Sequence, residues 1–274
     1  MKLYYILAFG TLLCSQLCSS ASAAMASEEP YNSGIVIRWK DCKQRIDGFG
    51  IAQAGWAKEL FAFKNREQVM DKMFGKDGLR LNILRGEIFP HYWENETDKD
   101  FNLNDDIHIE LSDSDFINKS DDLLRRGQLW LTLKAKNKYH ISKLVFSTWS
   151  APAWMKSNGK VSNGRLKTEC YTDFANYLAA FYNAYKSKGI APYAISPSNE
   201  PGYAAPWNSS LWTADEMGKF ITSYLGPTFR KENIPAKIIF GENPLWAVYM
   251  PQLKMVSSKD FTDTILQNLS LIHI

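Results

Sequence analysis

Short apolar runs alternate with longer segments of helical period along this chain. Gly34 to Trp39 and Ile46 to Ile51 read as strands, the second passing through Gly48-Phe49-Gly50. From Lys58 to Phe74 the apolar positions Leu60, Phe63, Val69 and Met73 fall near one face, which predicts a helix. Leu79 to Leu84 predicts a strand that runs into Arg85, and Leu123 to Lys138 a helix. Leu144 to Trp149 reads as a strand entering Ser150-Ala151-Pro152. Tyr171 to Lys188 carries the clearest helical pattern, with Phe174, Tyr177, Leu178, Phe181 and Tyr185 at i, i+3, i+4 spacing. Tyr193 to Ser196 predicts a strand followed by Asn199-Glu200-Pro201. Thr213 with Glu216 three residues on is a capping box that starts the next helix. Ile234 to Phe240 predicts a further strand, followed by Gly241-Glu242-Asn243. The polar stretch from His91 to Asn118 reads as an exposed insertion. Strands alternating with helices imply βαβ units and a parallel sheet.

Composition narrows the class. With 274 residues and 45% hydrophobic positions, the chain is no disordered tail, collagen-like repeat or small disulfide scaffold. Lys+Arg 32 against Asp+Glu 29 gives a net charge of +3 without a basic block, so no nucleic-acid-binding face is expected. Aromatic residues reach 14% with nine Trp, which suits either a well-filled core or a ring-lined cleft for sugars. Met1-Lys2, the apolar run Leu3 to Leu13 and the small residues Ser19 to Ala24 have the layout of a secretory signal peptide over residues 1–24, cut near Ala23-Ala24. That run is too short to span a bilayer, so an exported, soluble mature chain is expected. A lipid anchor on Cys18 is the runner-up, weakened by Leu17, which is not small. Once Cys14 and Cys18 leave with the signal, Cys42 and Cys170 remain, either as a disulfide or as two separate thiols. Sequons stand at Asn95, Asn118, Asn208 and Asn268. The four His, at 91, 108, 140 and 273, have no metal-ligand spacing.

Arg85, Trp149, Asn199, Glu200 and Glu242 all follow the carboxyl ends of predicted strands. In an α/β barrel those ends form one rim, where catalytic groups collect. A guanidinium, an indole, an amide and two carboxyls make an inventory for handling sugars. The first and third bond hydroxyls, the ring offers a flat face, and a carboxyl can protonate a leaving oxygen. Taken singly, each has a plainer reading: a surface Glu before Pro, a core Trp, an Arg that holds a barrel carboxylate, a Glu242 that orients Arg85.

Four blocks resemble glycoside hydrolase family 30. They are Ile46-Asp47-Gly48-Phe49-Gly50, the run Leu79 to Arg85, Phe146-Ser147-Thr148-Trp149-Ser150-Ala151-Pro152-Ala153-Trp154-Met155, and the run Ala194 to Pro201. The resemblance covers about Val36 to Glu242. It implies an α/β fold, a (β/α)8 TIM barrel with a small side β-sandwich, to which residues 25–45 would give the N-terminal strand and in which residues 46–274 would form about five β/α units. It implies a retaining mechanism without a cofactor. In it Glu200 is the acid/base, which begins protonated, and Asn199 holds the 2-hydroxyl of the sugar being cleaved. Trp149 matches a subsite wall, Tyr203 and Trp212 resemble positions that shape the cleft, and Arg85 and Glu242 support the site.

The second carboxylate of a retaining site is expected about 5–5.5 Å from the first. The family carries it at the end of strand seven. Only 74 residues follow Glu200 here, so the expectation is a C-terminally truncated chain, inactive by itself, with its nucleophile beyond residue 274 and Leu269 to Ile274 off the family pattern. The expected substrate is a plant-type polysaccharide, xylan first, because the Trp149 to Met155 block and Ala52-Gln53-Ala54 look most like the xylanase branches. A β-1,6-glucan or β-1,6-galactan, or a glucosylceramidase-like substrate, comes next. A noncatalytic carbohydrate-binding remnant stays open as a reading of another class. No nucleic-acid or membrane partner is expected for the mature chain, and a monomer is.

Overall fold

The computed structural model describes residues 38, 40–42, 46–53, 56–90, 122–240, 242 and 271–273, without the side chains of 122–126 and 271–273. The signal segment, most of the Gly34 to Trp39 strand and the insertion from His91 to Asn118 lie outside the described residues. The chain divides into a unit of residues 1–47 and a unit of residues 48–274.

The larger unit is built on β1 (Gly50–Ala52), β2 (Ile83–Ile88), β3 (Lys143–Thr148), β4 (Ala194–Ser196), β5 (Lys237–Phe240) and β6 (Leu271–His273). Each strand pairs in parallel with the next in the chain, so sheet order follows sequence order. That succession is the hallmark of an α/β barrel wall. It contains one strand more than the five expected, because Leu271–His273 extends the sheet beyond β5.

The helices are α1 (Ala57–Ala62), α2 (Arg66–Phe74), α3 (Asp122–Tyr139), α4 (Tyr171–Ser187), α5 (Ala214–Phe220) and α6 (Gly226–Lys231), the last two joined by a π-helical turn at Ile221–Leu225. The helix expected over 58–74 is in fact two. Phe63 takes an extended backbone (ψ 126°) and ends α1, and Asn65 starts α2. The strand expected at Leu79 to Leu84 also moves. Leu79 and Leu81 donate back to carbonyls of α2, Arg80 turns the chain at φ +53°, and β2 begins only at Ile83, where it meets Lys143 of β3. Arg85 therefore lies inside a strand, not after one. The capping box at Thr213 forms as expected, with both its hydrogen bonds.

Alternation along β2 separates two faces. Leu84 and Ile88 face the helices, in a core with Phe146, Phe181 and Tyr185. Ile83 faces the other way, toward Val145, Ala194 and Ile239 inside the barrel wall. On the helix side the Phe146 ring lies 5.1 Å from Phe181 and 5.0 Å from Tyr185 in edge-to-face contact, each buried ring contributing about 1.5–3 kcal/mol. A Cβ at Gly86 would come within 2.8 Å of Phe146, Gln128 and Gln53, so only glycine lets β2 approach α3 this closely. Gln128 uses that proximity: its amide accepts from the Glu87 N–H and donates to the Glu87 carbonyl, both at 2.7 Å. No helix among the described residues is long and apolar enough to cross a membrane.

Candidate active site

Arg85 shares the inner face of β2 with Ile83 and Glu87, and its side chain gathers three partners. Its Nε donates to Glu242 at 3.0 Å, its Nη2 donates to the Asn199 Oδ1 at 2.7 Å, and the guanidinium sits 4.5 Å from the centroid of the Trp149 ring. Ser147, on the inner face of β3, donates to the other oxygen of Glu242. Glu242 is thus fully engaged, as an acid that orients Arg85 would be. The Asn199 oxygen is taken by Arg85, which leaves its amide N–H groups as the donors that can reach a ligand hydroxyl.

Glu200 follows directly. The Asn199 N–H donates to the Thr148 carbonyl at 2.6 Å and the Thr148 hydroxyl to the Pro197 carbonyl at 2.6 Å, so the end of β3 fixes the chain just before the acid. Glu200 itself adopts φ +46°, a left-handed conformation that costs a side-chain-bearing residue about 1–3 kcal/mol. Such strain collects at functional sites, and no local sequence signal predicts it here. Glu200 remains half-buried on a turn closed by the Tyr203 N–H on its carbonyl at 3.0 Å.

The glycosyl hydrolase family 30 TIM-barrel domain profile matches residues 46–242, well over half of the chain. The chain belongs to glycosyl hydrolase family 30. Among relatives of this family 30 chain, putative glucosylceramidase 3 of Caenorhabditis elegans is 29% identical over 77% of this chain and 41% of its own length. Glucuronoxylanase XynC of Bacillus subtilis (strain 168) is 27% identical over 85% of this chain and 46% of its own. An endo-1,6-beta-D-glucanase of Neurospora crassa is 28% identical over 72% and 42%. The fold likewise resembles the catalytic domain of GH30 xylanase C from Talaromyces cellulolyticus, with a TM-score of 0.66 at 22% identity, over 84% of this chain and 53% of that one. The chain spans less than half the length of these curated relatives.

Of the site residues named from sequence, Arg85 touches Trp149, Asn199 and Glu242, Glu200 is the residue after Asn199, and Tyr203 stands exposed on the turn after Glu200. Trp212 does not join them. It is 4% exposed, its ring 6.1 Å from Tyr171 and 5.5 Å from Phe220, so core side chains cover the faces a sugar would need. Cys170 is buried beside the start of α4, and Cys42 is exposed. The sequon residue Asn208 lies close enough to Glu87 to favour its charged form.

Two buried groups of this family 30 chain were not singled out from sequence. Glu87 is 8% exposed at the barrel mouth, and its signal was the two-residue step from Arg85 on one strand face. Burial pushes its carboxyl up to about 8, against the opposing pull of Asn208 and the Arg85 charge. Lys156, 1% exposed, donates to the Ser150 hydroxyl at 3.0 Å, the Ser209 carbonyl at 2.7 Å and the Ser210 hydroxyl at 3.0 Å, stitching the loop after β3 to the loop after β4. Burial lowers its ammonium to about 8.

Glu87 has a consequence for stability. Below its ordinary value of 4.5 it is neutral in both folded and unfolded chains; above, only the unfolded chain ionises until pH approaches 8. Stability therefore falls across that window, because the unfolded state releases a proton the folded state keeps. Glu87→Gln is expected to flatten this fall. Urea unfolding at pH 5 and pH 8 checks it, and a parent-to-variant difference equal at both values would contradict the assignment.

Proposed function

We propose that this chain carries the acid/base half of a retaining β-glycosidase site that works on a plant-type polysaccharide outside the cell. The observation that carries the reading is the cluster at the barrel mouth, in which Arg85 holds Glu242 and Asn199 while Glu200 stands next to them on a strained turn. In the first step the nucleophilic carboxylate bonds to the anomeric carbon as Glu200 gives its proton to the glycosidic oxygen, and the leaving sugar departs. In the second, Glu200 takes a proton from water, whose oxygen displaces the carboxylate. Asn199 would donate to the 2-hydroxyl of the sugar being cleaved. We assign the nucleophile to none of the described residues, since Glu242 is already bound by Arg85 and Ser147.

Xylan is the first substrate class, on the strength of the Trp149 to Met155 block, and its company includes a glucuronoxylanase. A β-1,6-glucan is the second, favoured by a relative of nearly equal identity. Residues 1–24, read as an export signal, fit a polymer met outside the cell. Proton NMR of products released from xylan and from β-1,6-glucan, by a form of the protein that also carries the second carboxylate, tests the proposal: the β-anomer should appear first. The α-anomer first would exclude a retaining site, and no release from either polymer would favour a noncatalytic carbohydrate-binding chain.

A further inference from the structure

Most large rings of the described barrel are buried or half-buried. Among the described residues, the exposed large apolar side chains are Ile46, Phe49, Phe63, Leu79, Tyr203 and Trp207. The first four lie before β1 or β2 or at a helix end in the chain, and scattered exposed apolar residues need no explanation. Tyr203 and Trp207 differ. They are 45% and 54% exposed, on the loop that leaves Glu200, with ring centroids 6.4 Å apart and planes at 61°.

The backbone beneath them is tied along its length. The Tyr203 N–H is bonded to the Glu200 carbonyl, and Ala205, which is buried, donates to the Tyr203 carbonyl at 3.1 Å. The Ser209 hydroxyl lies 2.9 Å from the Ala205 carbonyl and 3.1 Å from that of Trp207. Beyond Trp207, Lys156 holds Ser209 and Ser210. Two half-exposed rings on a backbone anchored this way have lost little freedom still to be lost on binding. Set at an angle, they offer one flat apolar face and one edge, with the Tyr203 hydroxyl as a polar handle. That is the complement of a pyranose ring, which has a C–H face and a rim of hydroxyls.

We propose that Tyr203 and Trp207 form an aromatic platform that holds a sugar unit adjoining the linkage at Glu200. This rests on the glycosidase reading above and adds a binding position to it, with Trp207 as its main face.

Titration calorimetry of the chain with β-1,4-xylohexaose and with a β-1,6-linked glucohexaose tests it, alongside the thermal unfolding midpoint. The parent is expected to bind one of the two. Tyr203→Ala with Trp207→Ala should weaken that binding by about tenfold or more, about 1.4 kcal/mol, at an unchanged midpoint because both rings are half in water. Trp207→Phe, which keeps a ring, should retain most of the affinity. Equal affinity for parent and double variant would overturn the platform and leave the glycosidase reading intact. A Trp207→Phe loss as large as that of Trp207→Ala would also overturn it, since a ring face would not be what is read. Binding of neither oligosaccharide by the parent would overturn both.

Discussion

In a form of the protein that also carries the second carboxylate, Glu200→Gln is expected to lower turnover of xylan or β-1,6-glucan by roughly 10²–10⁴-fold, the usual share of a positioned acid in a step with a poor leaving group. The amide keeps the shape of the side chain and its place at φ +46°, so the loss reports the missing proton and not a collapsed turn. An aryl glycoside with an acidic phenol needs little protonation, so its glycosyl-transfer step should fall much less. Initial rates on both substrate types check this. Near-parental turnover of the polymer would remove Glu200 from the acid/base role.

Arg85→Met should be the most destabilising change at the site, by about 3 kcal/mol, because it strands the Glu242 carboxylate, whose side chain is only 9% exposed. Three contacts go at once: the ion pair at 3.0 Å, the bond to Asn199 and the stacking on Trp149. Arg85→Lys keeps a charge but cannot reach Glu242 and Asn199 from one planar fork, so it should fall between. Urea unfolding of the three chains measures the series. A loss under about 1 kcal/mol for Arg85→Met, within the range of an exposed pair, would mean that Glu242 finds another partner or water.

Local signals were read well where the cause was local. The helix at Tyr171–Ser187 repeats its rings at helical spacing, and the Thr213 cap needs only Glu216 three residues away. The β3 strand also lies within one residue of its expected bounds. Where distant partners decide, the pattern misled. The apolar run at Leu79 to Leu84 is strand-like in type, yet its first residues bond back to α2, and pairing with β3 sets where β2 starts. Trp212 lies near Glu200 in sequence and suggested a cleft wall. It leads into α5, however, and the rings of Tyr171, Phe174 and Phe220 close over it.

From the amino-acid order alone came the succession of strands and helices, the family, and the types of side chain at the strand ends. Those depend on spacing over a few residues, which a linear chain carries openly. Which side chains meet was decided only by the tertiary structure. Arg85 reaches Glu242 across 157 positions and Asn199 across 114, because parallel register brings the ends of β2, β4 and β5 to one rim and alternation turns their side chains to one face. The same geometry buries Glu87 two residues beyond Arg85, fixes Lys156 between two loops and leaves Tyr203 and Trp207 in the open. Burial and partnership are properties of the packed chain, so no local pattern announces them.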